Sequence, residues 1–227
     1  EKLKEVRVLY ERGLYDQCRS MLHKTKKQAE RYDKLLQLLQ VVIWEEKLLN
    51  KLGYEDVSEK NIDALRDDMR TIINKIDVEL ESSMLAAKIY SFHKKYFSTR
   101  NTQEAEKIKK IIGHPLMQNE EKAISHLSKI NYYDVHALYC RLKGEYEKNY
   151  LYRKKIIELI QRHPIKTAKE QEEYAFSLLN LAIGQSYAKK YNEVPPTLSK
   201  IMSIPFKTKS LKSEITKKAY ATELSMY

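Results

Sequence analysis

The stretch that decides the fold is RLKGEYEKNYLYRKKI, residues 141–156, because part of it is echoed near the start of the chain in YERGLYDQCRSMLHKT, residues 10–25. Each stretch places a glycine after a basic residue, and a tyrosine and an acid follow after one variable position. The two sets are Gly13, Tyr15 and Asp16, and Gly144, Tyr146 and Glu147. Glycine permits the positive φ with which many helices end. The echo therefore predicts the same helix-to-helix turn twice, with the tyrosine filling the gap between the two helices.

The rest of the chain has the composition of a helical protein. Its 227 residues include only five glycines and five prolines, whereas turn-rich β-proteins use many of both. Apolar residues recur mostly at spacings of three and four, as in residues 33–53, and no segment alternates apolar with polar residues as a half-buried strand would. The sequence predicts an all-α protein of ten or eleven helices.

The longest periodic segment runs from residue 58 to residue 98. Ser58 stands where a helix N-cap is expected, and apolar residues follow it at helical spacing throughout. The pattern is compatible with one helix of about 40 residues or with two helices and a kink near Asp77. We favour two, because very long helices without caps are uncommon in globular folds.

The cysteines favour a reducing compartment, and the hydropathy indicates neither a membrane span nor a signal peptide. Cys18 and Cys140 belong to no close pair, which favours two buried thiols. No run approaches the roughly 20 apolar residues that span a bilayer, and the first residues do not have the pattern of a signal peptide. We expect a cytoplasmic protein without a membrane partner. An alternative left open is that the chain is one part of a longer protein.

Residues 178–205 resemble one unit of the tetratricopeptide repeat (TPR) family. The matching positions are Leu178 at the large position of the first helix, Leu181 and Ala182 at the Leu-Gly pair, Tyr191 at the turn, Leu198 in the second helix and Pro205 at the end. A second unit is centred on Gly144, with Tyr133, Ala137 and Cys140 in its first helix and Tyr146 at the turn, and a first unit is centred on Gly13. The resemblance implies a TPR-like solenoid of antiparallel helix pairs that forms a single domain over residues 1–227, with its clearest units at 131–164 and 174–205.

The same resemblance implies a function in binding. TPR proteins are non-catalytic scaffolds that bind peptides on a concave face, and some hold a terminal carboxylate with Asn and basic residues. Asn180 falls on one such Asn position, whereas Val135 and Leu138 occupy the corresponding positions of the preceding unit. Six of the 17 tyrosines lie between residues 132 and 152, where they serve either inter-helix packing or a partner surface. The candidate partner-binding residues are Tyr133, Arg141, Asn180 and Tyr187.

No residue pattern indicates catalysis. The glycines are too dispersed for a phosphate-binding loop, and the six histidines form no metal-binding motif, so we predict no enzyme activity, no cofactor and no metal. The charge provides a rival hypothesis. Residues 141–227 contain 17 basic and 9 acidic residues, a balance of +8 within the total of +11. That basic segment is compatible with a nucleic-acid-associated or transcription-regulatory protein. The sequence leaves the partner and the oligomeric state open.

Overall fold

A computed structural model describes residues 2–53, 58–99, 102–162, 164–165 and 167–224, and over these ranges the protein is all-α, as predicted. The eleven α-helices are α1 (Lys2–Glu11), α2 (Tyr15–Arg31), α3 (Leu35–Lys51), α4 (Glu59–Thr99), α5 (Thr102–Ile112), α6 (Pro115–Gln118), α7 (His126–Leu142), α8 (Tyr146–Gln161), α9 (Ala168–Tyr187), α10 (Val194–Met202) and α11 (Lys209–Leu224). Short 3-10 turns at Glu120–Lys122 and Tyr191–Glu193 precede α7 and α10. No described residue lies in a strand. The last three residues of the predicted C-terminal helix lie outside the described ranges.

The chain forms two compact units, unit 1 (Glu1–Glu81) and unit 2 (Ser82–Tyr227). In unit 1, α2 packs against both α1 and α3, around buried residues that include Val6, Leu22 and Val41. In unit 2, α8 packs between α7 and α9, and α9 also contacts α10 and α11. Helices that neighbour one another in sequence are therefore also neighbours in space.

The turns between these helices share one hydrogen-bonding pattern. Four helices end on a residue with positive φ, and the N–H of the next residue donates to the carbonyl five positions back, which is the Schellman motif. The positive-φ residues of these four turns and their φ values are Gly13 (+72°), Asp33 (+47°), Gly144 (+74°) and Lys189 (+58°), and Gly53 after α3 also has a positive φ (+66°). The four bonds run from Leu14 to Leu9, Lys34 to Ala29, Glu145 to Cys140 and Lys190 to Gln185, at 2.8–3.0 Å. The predicted turns at Gly13 and Gly144 are confirmed, and the same turn occurs twice more without glycine.

The tyrosines of the two similar stretches, Tyr15 and Tyr146, make different contacts. Tyr15 packs edge-on against Tyr10 at 5.9 Å between ring centroids, so it fills the space between α1 and α2 as expected. Tyr146 instead is 38% exposed and stacks on Tyr187 of α9, at 5.1 Å. The packing role predicted for Tyr146 is therefore wrong, because its ring is directed to the next helix pair rather than into its own.

We predict opposite stability changes at two of these turns. A Cβ at Gly144 would meet no atom within 4 Å, so Gly144→Ala tests the positive φ alone and should lower the free energy of unfolding by about 1–2 kcal/mol. Lys189→Gly relieves the same strain and should raise the free energy of unfolding by about 0.5–1 kcal/mol. Urea denaturation followed by circular dichroism measures both, and Gly113→Ala, at a glycine whose φ is not positive, is the control. A stabilising G144A or a destabilising K189G would contradict this account of the turns.

The segment from residue 59 to residue 99 is one helix, so the favoured division near Asp77 is wrong. The 41 residues of α4 contain neither proline nor glycine, the two residues that most often interrupt a helix. Asp77 is exposed in the middle of the helix and leaves its backbone bonding unchanged. The predicted start of α4 is supported by Ser58, whose Oγ accepts a hydrogen bond from the Asn61 N–H at 3.3 Å.

Helix α7 also begins earlier than the sequence pattern indicates. The apolar spacing predicts a short helix over residues 119–130 and a longer one over residues 132–144, but α7 starts at His126 and continues without a break to Leu142. A capping box sets this start: the Ser125 Oγ accepts from the Ser128 N–H, and the Ser128 Oγ accepts from the Ser125 N–H. The two cysteines are free and buried, as predicted.

Candidate partner-binding groove

The ends of α7 and α9 bring Arg141 and Tyr187 together, although the two residues are far apart in sequence. Arg141 lies in the last turn of α7, and Tyr187 is the last residue of α9. The Arg141 Nη2 donates to the Tyr187 hydroxyl at 3.1 Å, and the guanidinium carbon lies 4.8 Å from the Tyr187 ring centroid. Such cation–aromatic contacts stabilise an exposed arginine in one orientation.

The Tyr187 ring is also stacked on Tyr146, with an interplanar angle of 17°. Tyr146 is the first residue of α8 and follows the Schellman turn at Gly144, so the turn determines where this ring lies. Both rings are still 38–43% exposed. The result is a preorganised surface cluster of one guanidinium and two aromatic rings.

An open groove of about 550 Å³ lies beside this cluster. Its lining residues are Arg141, Ile183, Ser186, Tyr187, Lys189, Tyr191 and Ala221. Two of the described side chains that line it are cationic and none is acidic, while Ile183 and Ala221 contribute apolar surface. The groove can therefore accept an anionic group that is attached to an apolar segment.

Lys189 reaches this groove from a strained backbone position. It is the positive-φ residue of the turn after α9, where glycine would be unstrained. Its side chain is exposed and forms no ion pair with another described residue. Local strain of this kind is often retained at functional sites.

The other two candidate residues lie away from this cluster. Asn180 is half-buried on α9, seven residues before Tyr187, which is about 10 Å along the helix. Tyr133 is buried on α7, and its hydroxyl donates to Glu120. The structure thus joins Arg141 with Tyr187 and places Tyr133 and Asn180 elsewhere in unit 2.

Tyr133 belongs to a packed aromatic cluster of unit 2. The Lys155 ammonium lies 4.8 Å from its ring centroid, and His136 is stacked at 5.3 Å on Tyr152. Burial, followed by the bond to Glu120, raises the pKa of Tyr133, and that same bond lowers the pKa of Glu120. Burial also lowers the pKa of His136. These contacts are the ones expected of packing, the alternative that the sequence left open for the tyrosine-rich segment.

Sequence reasoning missed Tyr146 of the cluster and Lys189 and Tyr191 of the groove. Tyr146 and Tyr191 were assigned to turns, and each stands two positions after a positive-φ residue. The positive φ could be predicted at Gly144 but not at Lys189, because glycine favours that conformation and lysine does not. The exposure of the two rings could only be seen once the helices were packed.

Neither a metal site nor a membrane span was found in the described parts of the chain. No three His, Cys, Asp or Glu side chains there are grouped closely enough to hold a metal ion. No helix there combines the length and the apolar character needed to cross a bilayer.

Comparison with known proteins gives no family assignment. No protein-family model matches the chain, and no curated protein and no solved structure shows significant similarity to it.

Proposed function

We propose that the chain is a non-catalytic helical-repeat scaffold of the TPR-like solenoid type, which binds a protein or peptide partner. Support for the solenoid comes from the packing of consecutive helices and from the Schellman turn repeated at four places. Stacked helix pairs of this kind offer extended surfaces to partners. The cytoplasmic location predicted from the sequence is compatible with the two free thiols.

The observation that carries the proposal is the Arg141–Tyr187–Tyr146 cluster beside a groove with two cations and no acidic lining residue. Tyrosine and arginine are the residue types that most often anchor protein interfaces, and here their side chains are held in place before any partner binds. The favoured partner is a peptide segment with an acidic residue next to an apolar one. The carboxylate would lie between Arg141 and Lys189, and the apolar side chain would contact Ile183.

A nucleic-acid partner is the weaker alternative. Binding of single strands depends on aromatic faces that are open to bases, whereas Tyr187 already stacks on Tyr146 and lies under Arg141. In the basic C-terminal helix, Lys218 pairs with Glu214 and lies over the Phe176 ring. This lysine is thus already engaged within the fold.

Binding of labelled peptides, measured by fluorescence polarisation, tests the proposal. We expect a peptide of alternating Asp and Leu to bind, and we expect the Ser/Leu and Lys/Leu peptides of equal length to bind more weakly. Lys189→Ala and Arg141→Ala should each weaken binding of the acidic peptide about tenfold, because each removes a charge-assisted hydrogen bond. Lys200→Ala, at an exposed lysine of α10 outside the groove, is the matched control.

Two results would overturn the proposal. One is the absence of binding for all three peptides. The other is tight binding of a single-stranded oligonucleotide that falls steeply with salt and does not respond to Lys189→Ala, which would favour the nucleic-acid alternative.

A further inference from the structure

A second feature of the molecule, separate from the groove, is an apolar stripe on α4. Ile62, Ile73 and Leu80 are 43%, 53% and 63% exposed. They are eleven and then seven residues apart, so at 100° per residue they lie within about 20° of one another on the helix surface. All three belong to unit 1. We call this set the α4 stripe.

The α4 stripe is not part of the core. The core face of α4 in unit 1 is marked by buried Ile72, which packs with Ala29, Leu38 and Val42. Half-buried Met69 and Ile76 lie between that face and the stripe, so apolar surface continues outward from the core to exposed positions. Single exposed aliphatic residues are ordinary, but three aligned over about 30 Å of one helix are typical of an interface.

The charged edge beside the stripe indicates what covers it. Exposed Arg66 and Arg70 stand on the N-terminal half of this edge, and exposed Asp77 and Glu81 stand on the C-terminal half. The midpoint between Arg70 and Asp77 along the helix lies between residues 73 and 74. The midpoint between Arg66 and Glu81 lies at the same place. A second α4 that ran antiparallel and shared this centre would therefore place each arginine opposite an acid of the other copy.

We propose that two copies of this chain associate through the α4 stripe, with the two helices antiparallel and the two-fold axis beside Ile73. Ile73 then meets its own counterpart, and Leu80 of each copy packs at the level of Arg66 and Met69 of the other. Both ion pairs, Arg70 with Asp77 and Arg66 with Glu81, form twice because the symmetry repeats them.

A parallel pair does not fit the same edge. In a parallel pair the two charged edges would lie on opposite sides of the contact, so each would face the side of the other helix that carries Met69 and Ile76 and its charges would meet no complementary partner. Arg66 now contacts Asp63 at 3.2 Å and Asp67 at 3.4 Å within its own helix. These ion pairs are exposed and join residues close in sequence, so they contribute little stability. Arg66 can therefore exchange them for an ion pair with Glu81 of the other copy.

Sedimentation equilibrium of the full chain over a range of concentrations tests the proposal. We expect a monomer–dimer equilibrium in the unaltered protein. Ile73→Glu should raise the dissociation constant at least about thirtyfold, since it places two like charges opposite each other at the centre of the apolar contact. Leu36→Glu, at a leucine of α3 that is 68% exposed, should leave the equilibrium unchanged. Circular dichroism shows that each variant is folded.

A charge exchange tests the orientation without touching the apolar residues. Arg70→Glu alone should weaken the dimer, and the double variant Arg70→Glu, Asp77→Arg should restore it, because the exchanged pair is again complementary across the two-fold axis. Ile73→Cys should also form a disulfide between copies on mild oxidation, whereas Leu36→Cys should not. The native Cys18 and Cys140 are buried and do not compete.

The proposal is overturned if the unaltered chain is monomeric at every concentration tested. It is also overturned if a dimer forms but Ile73→Glu leaves it intact, or if the double charge exchange fails to restore association. Peptide binding at the groove is measured separately, so none of these results bears on the proposed function.

Discussion

Replacing Arg153 with methionine is expected to lower the free energy of unfolding by about 3–5 kcal/mol, the typical cost of leaving a buried charge without its partner. Arg153 on α8 is 5% exposed and forms an ion pair with Asp134 of α7. Tyr90 lies near this pair, and burial together with the Asp134 charge raises the pKa of its hydroxyl to about 12. Burial opposes the charge on Arg153, but Asp134 and Tyr90 outweigh it, and the pKa of Arg153 lies above its usual value. Without the guanidinium, Asp134 would lose its charged partner.

The measurement is urea denaturation at neutral pH, with Lys154→Met as the control because Lys154 is the exposed next residue on α8. The double variant Asp134→Leu, Arg153→Met should recover most of the loss, since it removes both charges together. An Arg153→Met variant that costs no more than Lys154→Met would contradict the assignment of a buried ion pair.

The second large effect is expected at Gly184, where α9 packs closely against α8. A Cβ at this position would lie 3.0 Å from the Asn149 Oδ1 and 3.5 Å from the Tyr150 Cα. Asn149 cannot move aside without cost, because it is buried and its Nδ2 donates to the Ala137 carbonyl at 2.7 Å. We expect Gly184→Leu to lower the free energy of unfolding by about 3 kcal/mol, at the upper end for overpacking. The better helix propensity of leucine offsets roughly 1 kcal/mol of a larger steric cost.

The stability of Gly184→Leu is compared with that of Glu173→Leu by thermal and urea denaturation. Glu173→Leu is the control because Glu173 is an exposed residue on the same helix. Gly184→Ala should be less damaging than Gly184→Leu, and its effect should be non-additive with that of Asn149→Ala, because the second change removes the atom that the new methyl group meets. If Gly184→Leu is as stable as Glu173→Leu, the close approach of α8 and α9 at this point is not required.

The helical class and most helix positions were predictable from residue order. Apolar spacing and the scarcity of glycine and proline depend only on the local chain, as does the N-cap at Ser58. The turns at Gly13 and Gly144 were predictable for the same reason, because glycine there signals a positive φ. The predicted division of α4 into two helices was wrong because it relied on the usual length of helices in globular folds. The segment itself contains no residue that breaks a helix.

The candidate site was predictable only in part. Arg141 and Tyr187 were selected as residue types common at interfaces, but their contact depends on the way α7 and α9 pack against α8. Tyr133 was selected with the same reasoning and Asn180 from the resemblance to a TPR carboxylate-binding position, and the packing placed Tyr133 inside unit 2 and Asn180 two turns from the cluster. Residue type alone does not distinguish a tyrosine that packs from one that is exposed.

Backbone conformation was thus settled by neighbours along the chain wherever a residue acts on its own turn of helix, as Ser58 does through its hydroxyl and Gly13 and Gly144 do through their positive φ. Contacts between helices settled the rest: the ion pair of Arg153, the close approach at Gly184, and the exposure of Tyr146 and Tyr187. Asp33 and Lys189 show the difference most clearly, since both adopt a glycine-like φ without being glycine. The hydrophobic burial gained when adjacent helices close against each other exceeds the one or two kcal/mol that this strain costs, and such burial involves residues that are distant in sequence.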